Sequence, residues 1–383
     1  MKFYEVRVEL NSPAIITSRR TERGFKSAIR FIPGTTLRGA ILSSLYYHGR
    51  ISLSELEREA KEPSLICTPA YPLVNGQQSW PAHPFFFRCK LCSRENREKK
   101  AGGQIEKGGS PPENRGREAR VQLESGMEPT LPTRCREGHV GLESLHPEPV
   151  LPSCERAGEV RVGFTSSVCV GINKDRASFE GGMLYEYDAL ESGQAFWAYL
   201  ATPYEIPNPL AIWVGRGVTR GFGEAKLSLQ GELDMRKLEE DCKKASAGGV
   251  LVLYALSPLL GGGEEVSPFP KKIELGPIGE RLGKPAEGSL LIERVYGRTG
   301  PYVAGWDMLR GRGRPTFYGA CYQGSIVKAR LEGNVSWEAI ACLRILGTLE
   351  RWGEETLCCI NQLVPLAGHQ MEREHEPSLT AAE

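Results

Sequence analysis

Gly215-Arg216-Gly217-Val218-Thr219-Arg220-Gly221-Phe222-Gly223 joins an apolar segment, Leu210-Ala211-Ile212-Trp213-Val214, to an alternating one, Ala225-Lys226-Leu227-Ser228-Leu229. The flanks predict a short helix over 210–214 and a strand over 225–229. Glycine admits positive φ and close approach of another backbone, so a turn of this composition can leave several N–H groups facing an anion. Gly215, Gly217, Gly221 and Gly223 would shape that turn. Arg216 and Arg220 would stand beside it as phosphate ligands, with Thr219 between them. The competing reading is a tight connector carrying two solvated arginines. The order of elements in the rest of the chain decides between the two.

Upstream, Tyr4, Val6, Val8 and Leu10 alternate with Glu5, Arg7 and Glu9 over 3–10, a half-buried strand. A polar loop follows with Arg19, Arg20, Arg23, Lys26 and Arg30. Ile32-Pro33-Gly34-Thr35-Thr36 then opens a helix that Thr35 or Thr36 can cap, with Leu37, Ile41 and Leu45 on one face. Ser52 with Glu55 forms a capping box for a second short helix to about Lys61. From Pro63 to about Gly158 regular patterning stops, and between Arg88 and Arg120 ten Lys/Arg stand against five Glu. That composition buries little apolar surface and reads as a partly disordered insertion. Periodicity returns over 160–170, 184–187 and 195–200. Without the insertion the order is strand, helix, strands, helix, strand, a split βαβ pattern.

Downstream, Asp234 caps a helix from Met235 to about Ala245, and Gly248-Gly249 forms a linker. A second cycle runs through strands at 250–256, near 290–296 and 325–331, a helix capped by Ser336, and a final strand at 357–363. Gly347 and Gly353 repeat the six-residue spacing of Gly215 and Gly221, so the chain reads as a diverged duplication. The expected fold is α+β, with two tandem ferredoxin-like (RRM-like) domains and a long, partly disordered, zinc-bearing insertion in the first. The expected divisions are 1–232 with the insertion at about 63–158, a degenerate second domain at 250–366, and a polar tail at 367–383.

A net charge of +1 gives no global polyanion signal, so any nucleic-acid surface must be local. With no signal-peptide pattern and no run fit to span a bilayer, the expected location is cytoplasmic and no membrane partner is implied. Eleven cysteines without a secretion signal argue against a disulfide framework. Cys242, Cys321, Cys342, Cys358 and Cys359 sit in apolar patterns and read as small core residues. Cys89-Lys90-Leu91-Cys92 and Cys135-Arg136-Glu137-Gly138-His139 differ. A CxxC turn places two thiolates on one metal, and a CxxxH turn supplies the other half of a tetrahedron. Structural zinc closing the loop is the expectation. The fourth ligand is open between His139 and Cys154, then His146, with Cys67 and His83 in reserve; the alternative is reduced cysteines in a loose loop.

Three stretches resemble the RAMP superfamily of CRISPR-associated RNA-binding proteins. They are Phe31-Ile32-Pro33-Gly34-Thr35-Thr36-Leu37-Arg38-Gly39-Ala40, the run from Gly163 to Asn173 with Gly182–Tyr187, and the Gly215–Gly223 loop. Together they span most of 1–230. The resemblance implies two RRM-like units and a place in a type III effector complex of antiviral defence. Its closest likeness is the non-catalytic subunit of the cyanobacterial-type branch that holds the 5′ tag of the guide RNA. Implied partners are guide RNA, other RAMP subunits and the polymerase-like large subunit. Phosphate contacts are expected from Arg216, Arg220, Thr219, Arg38 and the Arg19, Arg20, Arg23, Lys26 loop, and base stacking or core packing from Phe222. Pro315–Gly319 with Tyr322–Ser325 resembles a hairpin of the second unit.

Two catalytic alternatives remain. His48, in Tyr46-Tyr47-His48, is placed to act as acid or base in repeat processing, or to be an exposed helix-end histidine. Asp175 could serve a target-cleaving backbone subunit. There is no Ser-His-Asp arrangement and no GxxxxGK loop, and Gly261-Gly262-Gly263 is a lone flexible run.

Overall fold

The computed structural model describes residues 1–17, 28–92, 113–135, 137–151, 160–173, 178–262, 267–303, 305–307, 312–313, 316–352 and 355–366. Arg19, Arg20, Arg23, Lys26, Cys154, Asp175 and the tail 367–383 lie outside them, as do 93–112 and 152–158 of the expected insertion.

The chain opens with β1 (Lys2–Leu10), α1 (Gly34–Tyr47) and α2 (Leu53–Lys61). Short strands follow: β2 (Ile66–Cys67), β3 (Tyr71–Val74), β4 (Gln77–Gln78), β5 (Trp80–Pro81), β6 (Phe86–Cys89) and β7 (Glu113–Asn114). Helix α3 (Gly116–Glu124) precedes β8 (Leu142–Ser144) and β9 (Pro149–Val150). Next come a long hairpin, β10 (Phe164–Asn173) and β11 (Ser178–Leu190), then β12 (Ala195–Thr202), β13 (Leu210–Trp213) and β14 (Glu224–Glu232). After α4 (Met235–Ala245) lie β15 (Val250–Ala255), β16 (Lys272–Glu274), α5 (Gly276–Leu282), β17 (Ser289–Tyr296) and β18 (Thr299–Val303). Then follow β19 (Trp306–Asp307), β20 (Arg312–Gly313), β21 (Thr316–Cys321), β22 (Ile326–Glu332), α6 (Trp337–Leu346), β23 (Thr348–Trp352), β24 (Glu355–Ile360) and β25 (Leu363–Pro365).

Two antiparallel sheets carry the fold. The first runs β13-β14-β1-β12-β3-β4, with β2 also on β12, and the second runs β16-β17-β22-β15-β25. In both, the opening strand lies between the closing strand and an earlier strand of the same sheet: β14-β1-β12 and β25-β15-β22. The second half has a helix on each side of its central strand pair in sequence, α5 between β16 and β17 and α6 after β22. The first half has α1 after β1, but β13 and the glycine loop stand where a second helix is expected.

The expected helix at 210–214 is therefore a strand. Leu210 and Ile212 are buried while Ala211 and Trp213 are exposed, the period of two that a five-residue window cannot separate from a helical turn. Residues 65–89, assigned to the insertion, supply β2 and β3 to the first sheet and Tyr71, Trp80, Phe85 and Phe87 to the core. These strands are too short to show periodicity. Gly347 does not open a second glycine loop. It ends α6 at φ +54 and leads into the β23–β24 hairpin, where an added Cβ would clash with the Ile360 carbonyl. α1 begins after Pro33 without a side-chain cap, so neither Thr35 nor Thr36 caps it. The Ser52–Glu55 capping box and the Asp234 and Ser336 caps form as the sequence predicts.

β12 explains why the halves share one core. Phe196, Ala198 and Leu200 face α1, whereas Trp197, Tyr199 and Ala201 face the other way into a cluster that continues through Leu253, Tyr254, Ile326 and Leu343. Gln362 crosses that boundary, its Nε2 donating to the carbonyls of Cys67 at 3.0 Å and Ile345 at 2.6 Å. The cysteines expected in the core, Cys242, Cys321, Cys342, Cys358 and Cys359, are buried, and among the described residues none is in a disulfide.

His146 is a second cross-link. Its Nδ1 lies 2.8 Å from the Ala82 carbonyl, and its Nε2 accepts from the Arg298 N–H at 3.1 Å. Both contacts use the neutral ring with its proton on Nδ1. Burial, opposed by the bond to Ala82 and reinforced by Arg298, lowers its pKa from 6.5 to about 4. The unfolded chain takes the proton more readily. Stability is therefore intact above about pH 6.5 and falls as the pH drops toward about 4, by roughly 3 kcal/mol in all. Urea unfolding at pH 7 and pH 5 should show this loss and a flatter profile in His146→Gln; an identical profile in the variant would contradict it.

Candidate nucleic-acid interface and metal centre

The glycine loop is the turn of the β13–β14 hairpin. Val214 N–H donates to the Gly223 carbonyl at 2.8 Å and closes its neck. Gly215, Gly217, Gly221 and Gly223 all have φ between +79 and +84. Two of them are also packed against backbone: a Cβ on Gly215 would meet the Ile15 carbonyl oxygen at 2.4 Å, and one on Gly223 would meet that of Val214 at 2.2 Å. At Gly221 a Cβ would meet open space, so only the dihedral requires glycine there.

Most of the loop's donors are already used. The N–H groups of Arg216 and Gly223 donate to Ile15 and Pro13, and those of Arg220, Gly221 and Phe222 stay within the turn. The expected cradle of free N–H groups is thus smaller than the glycine count suggests. Among the described residues, the N–H groups of Gly215, Gly217, Val218 and Thr219 keep no backbone acceptor. What the loop offers outward is side chain: Arg216, Thr219 and Arg220 are exposed. Phe222 precedes β14 and is half-buried against Gly217.

Three elements meet at this end of the first sheet. Ala14 bridges Leu190 of β11, and Ile15 bridges Arg216 of the glycine loop. Thr17 bridges Ala28, which places both roots of the 18–27 segment beside them. Arg220 reaches across to the hairpin. Its Nη1 donates to the Tyr187 hydroxyl at 2.9 Å, and its guanidinium carbon lies 5.9 Å from the centre of that ring. Tyr187 was not singled out as a site residue, although its place on an alternating strand in the second resembling stretch is the signal that could have found it.

Arg38 is not part of this surface. Its side chain is buried, its Nη2 pairs with the Glu59 carboxylate at 2.8 Å and its Nε donates to the Leu65 carbonyl at 2.8 Å. Glu59 also accepts from the Tyr204 hydroxyl at 3.0 Å. The guanidinium thus closes an internal network, and its expected role as a phosphate donor is withdrawn. His48 ends α1 and is exposed.

The cysteine cluster assembles as its spacing predicts. Cys89 ends β6, and β8 pairs with β6 so that Leu142 stands opposite Cys89. The preceding turn is tightened by Gly138 N–H donating to the Cys135 carbonyl at 2.9 Å, with Gly138 at φ +78. This brings the ligand atoms of Cys89, Cys92, Cys135 and His139 within 4.8 Å of one another. A tetrahedral zinc ion sets sulfurs about 3.8 Å apart and sulfur about 3.6 Å from nitrogen. The cluster shows 3.9 Å between the Cys92 and Cys135 sulfurs, and 3.3 and 3.9 Å from His139 Nδ1 to Cys92 and Cys89. Burial raises the Cys89 thiol, but N–H groups of Cys92 and Leu91 and the thiols of Cys92 and Cys135 pull it down to about 7. A group of this kind could hold a metal ion.

Of the alternative ligands, Cys154 lies outside the described residues and the others are engaged elsewhere. His146 holds Ala82 and Arg298, His83 Nδ1 accepts from the Phe85 N–H at 3.1 Å, and Cys67 lies in the core beside Arg38.

No protein-family model matches the chain and no curated protein matches it. Solved structures similar to it include a chain of the cryo-EM structure of the Type III-B Cmr-beta bound to cognate target RNA, at 12% identity, 85% of this chain, 86% of that chain and a TM-score of 0.44. The same assembly with cognate target RNA and AMPPnP gives 13%, 85%, 86% and 0.48. Oligomeric Cmr4 from Pyrococcus furiosus gives 15%, 61%, 99% and 0.26.

The loop geometry separates two glycines that look equivalent in sequence. Gly221→Ala should cost roughly 1 kcal/mol from its dihedral alone, whereas Gly223→Ala, which also meets the Val214 carbonyl, should cost roughly 3 kcal/mol. Urea midpoints measure both. Equal losses would contradict the packed geometry.

Proposed function

We propose that this chain is a non-catalytic, RNA-binding RAMP subunit of a type III CRISPR effector ribonucleoprotein, one that holds the 5′ tag of the guide RNA. The observation that carries this reading is the convergence at one end of the first sheet. The glycine loop with Arg216 and Arg220, Tyr187 of the long hairpin, and the roots of the Arg19, Arg20, Arg23, Lys26 segment lie side by side there. Guanidinium groups on phosphates with an aromatic face between them are what a single-stranded RNA tag requires. The partners on this reading are guide RNA, other RAMP subunits and the polymerase-like large subunit, and the setting is the cytoplasm.

We read each sheet as a ferredoxin-like unit, the first having exchanged its second helix for β13 and the glycine loop. The strand orders β14-β1-β12-β3 and β25-β15-β22-β17 support this. The metal centre belongs to the insertion. Three thiolates and one imidazole are soft and borderline donors at tetrahedral spacing, which favours zinc. Four protein ligands leave no open coordination position, so the ion's part is to hold chain segments together.

Arg216→Ala and Arg220→Ala should each weaken binding of a labelled crRNA tag. Each should also lower the slope of log affinity against log salt by about 0.7, the release expected per single-strand phosphate contact. Unchanged affinity and slope in both variants would count against the loop. Labelled repeat RNA should stay intact with the wild-type protein; cleavage lost in His48→Ala would replace this reading with an endoribonuclease.

A further inference from the structure

The second sheet has one face that is chemically suited to single-stranded RNA, and the insertion covers it. Cross-strand pairing sets Tyr254, Ile326 and Tyr296 side by side, with Lys328 and Arg294 in the next row and Arg330 beyond. Aromatic rings on central strands flanked by basic side chains are how an open four-stranded sheet stacks and neutralises RNA. In this chain the rings are occupied. Trp80 lies 6.3 Å from the Tyr254 ring, and the Tyr254 hydroxyl donates to the Pro81 carbonyl. Phe85 lies 5.8 Å from the Tyr296 ring, the Tyr296 hydroxyl donates to Glu128 at 2.8 Å, and Arg294 pairs with the same carboxylate. Helix α3 packs on β15, with Ala119 and Leu123 buried in the shared core.

All the covering segments lead to the metal centre. The strand after Phe85 ends at Cys89. The chain from α3 passes Glu128 and reaches Cys135. His139 leads into β8 and on to His146, which is bonded to Ala82 and Arg298. Apart from the centre, β6 is joined to β7 and β8 by only two and three residue pairs. Ladders this short are marginal alone.

We infer that the Cys89/Cys92/Cys135/His139 centre is a fastener that keeps the insertion closed over the aromatic face of the second sheet, and that this face is shut to RNA while the metal is bound. The inference rests on the zinc reading of the centre and is independent of the glycine loop. It takes the second sheet's face out of the RNA-accessible surface of the metal-bound chain.

The test is amide hydrogen exchange on the full chain, with metal content measured on the same samples. As prepared, the protein should hold one equivalent of zinc and protect the peptides covering 250–255 and 290–296. After chelation, and in Cys135→Ser, exchange in those peptides should rise at least tenfold while that of 3–10 and 195–202 stays within twofold. Phe85→Ala, which leaves the ligands intact, should keep its zinc and open the 290–296 peptide more than the 250–255 peptide. A metal-free preparation would overturn the zinc reading and the fastener with it. Stoichiometric zinc whose removal leaves exchange unchanged would overturn the fastener alone, and uniform loosening of both sheets would do the same.

Discussion

Burial of β12 on both faces is the constraint on which the rest of the structure depends. A strand reading Ala195-Phe196-Trp197-Ala198-Tyr199-Leu200 cannot leave either side in water, since every residue from Phe196 to Leu200 is buried. One face takes α1 and the aliphatic core. The other takes Tyr71 and Trp80 and continues into the second half of the chain. Because the same strand belongs to both cores, the halves pack as one body across polar cross-links such as Gln362 to Cys67 and Tyr71 to Leu256. Rigid packing at the centre leaves one end of the first sheet free to display its turns.

Those turns divide the chemistry. The glycine loop is a tightly hydrogen-bonded hairpin end, and its glycines serve the close approach of Pro13, Ile15 and Val214 more than they free N–H groups for a ligand. On the proposed reading, recognition falls to Arg216 and Arg220 of the turn and to Tyr187 of β11, with Arg220 already bonded to Tyr187. The metal centre does the converse. On the zinc reading, its four side chains are spent on joining segments whose own ladders are short.

Legibility in sequence followed element length and the locality of each signal. The capping box at Ser52, the caps at Asp234 and Ser336, the long strands and the CxxC–CxxxH set are local patterns, and each was readable. The three cysteines of the cluster were readable because two compact turns carry them, with the fourth member open between His139 and Cys154, and the 42-residue gap hid which sheet brings them together. Strands of two to four residues such as β2, β3 and β13 carry too few alternations to identify, so 65–89 was read as insertion and 210–214 as a helix. Arg38 was misplaced for a different reason. Its neighbours in sequence suggest an exposed helix start, while its partner Glu59 comes from another helix and only the fold brings them together. The six-residue glycine spacing at Gly347 misled because one glycine can serve a turn, a cap or a close approach, and spacing alone does not distinguish them.

The central claim is that RNA is held at the β13–β14 loop end of the first sheet. Ultraviolet crosslinking of a photoreactive guide RNA to the assembled complex, mapped by mass spectrometry, tests it most directly. The account predicts crosslinks within 19–26, at Tyr187 and within 215–222, and none at Tyr254 or Tyr296. Crosslinks concentrated on the second sheet, with the loop end unlabelled, would contradict it.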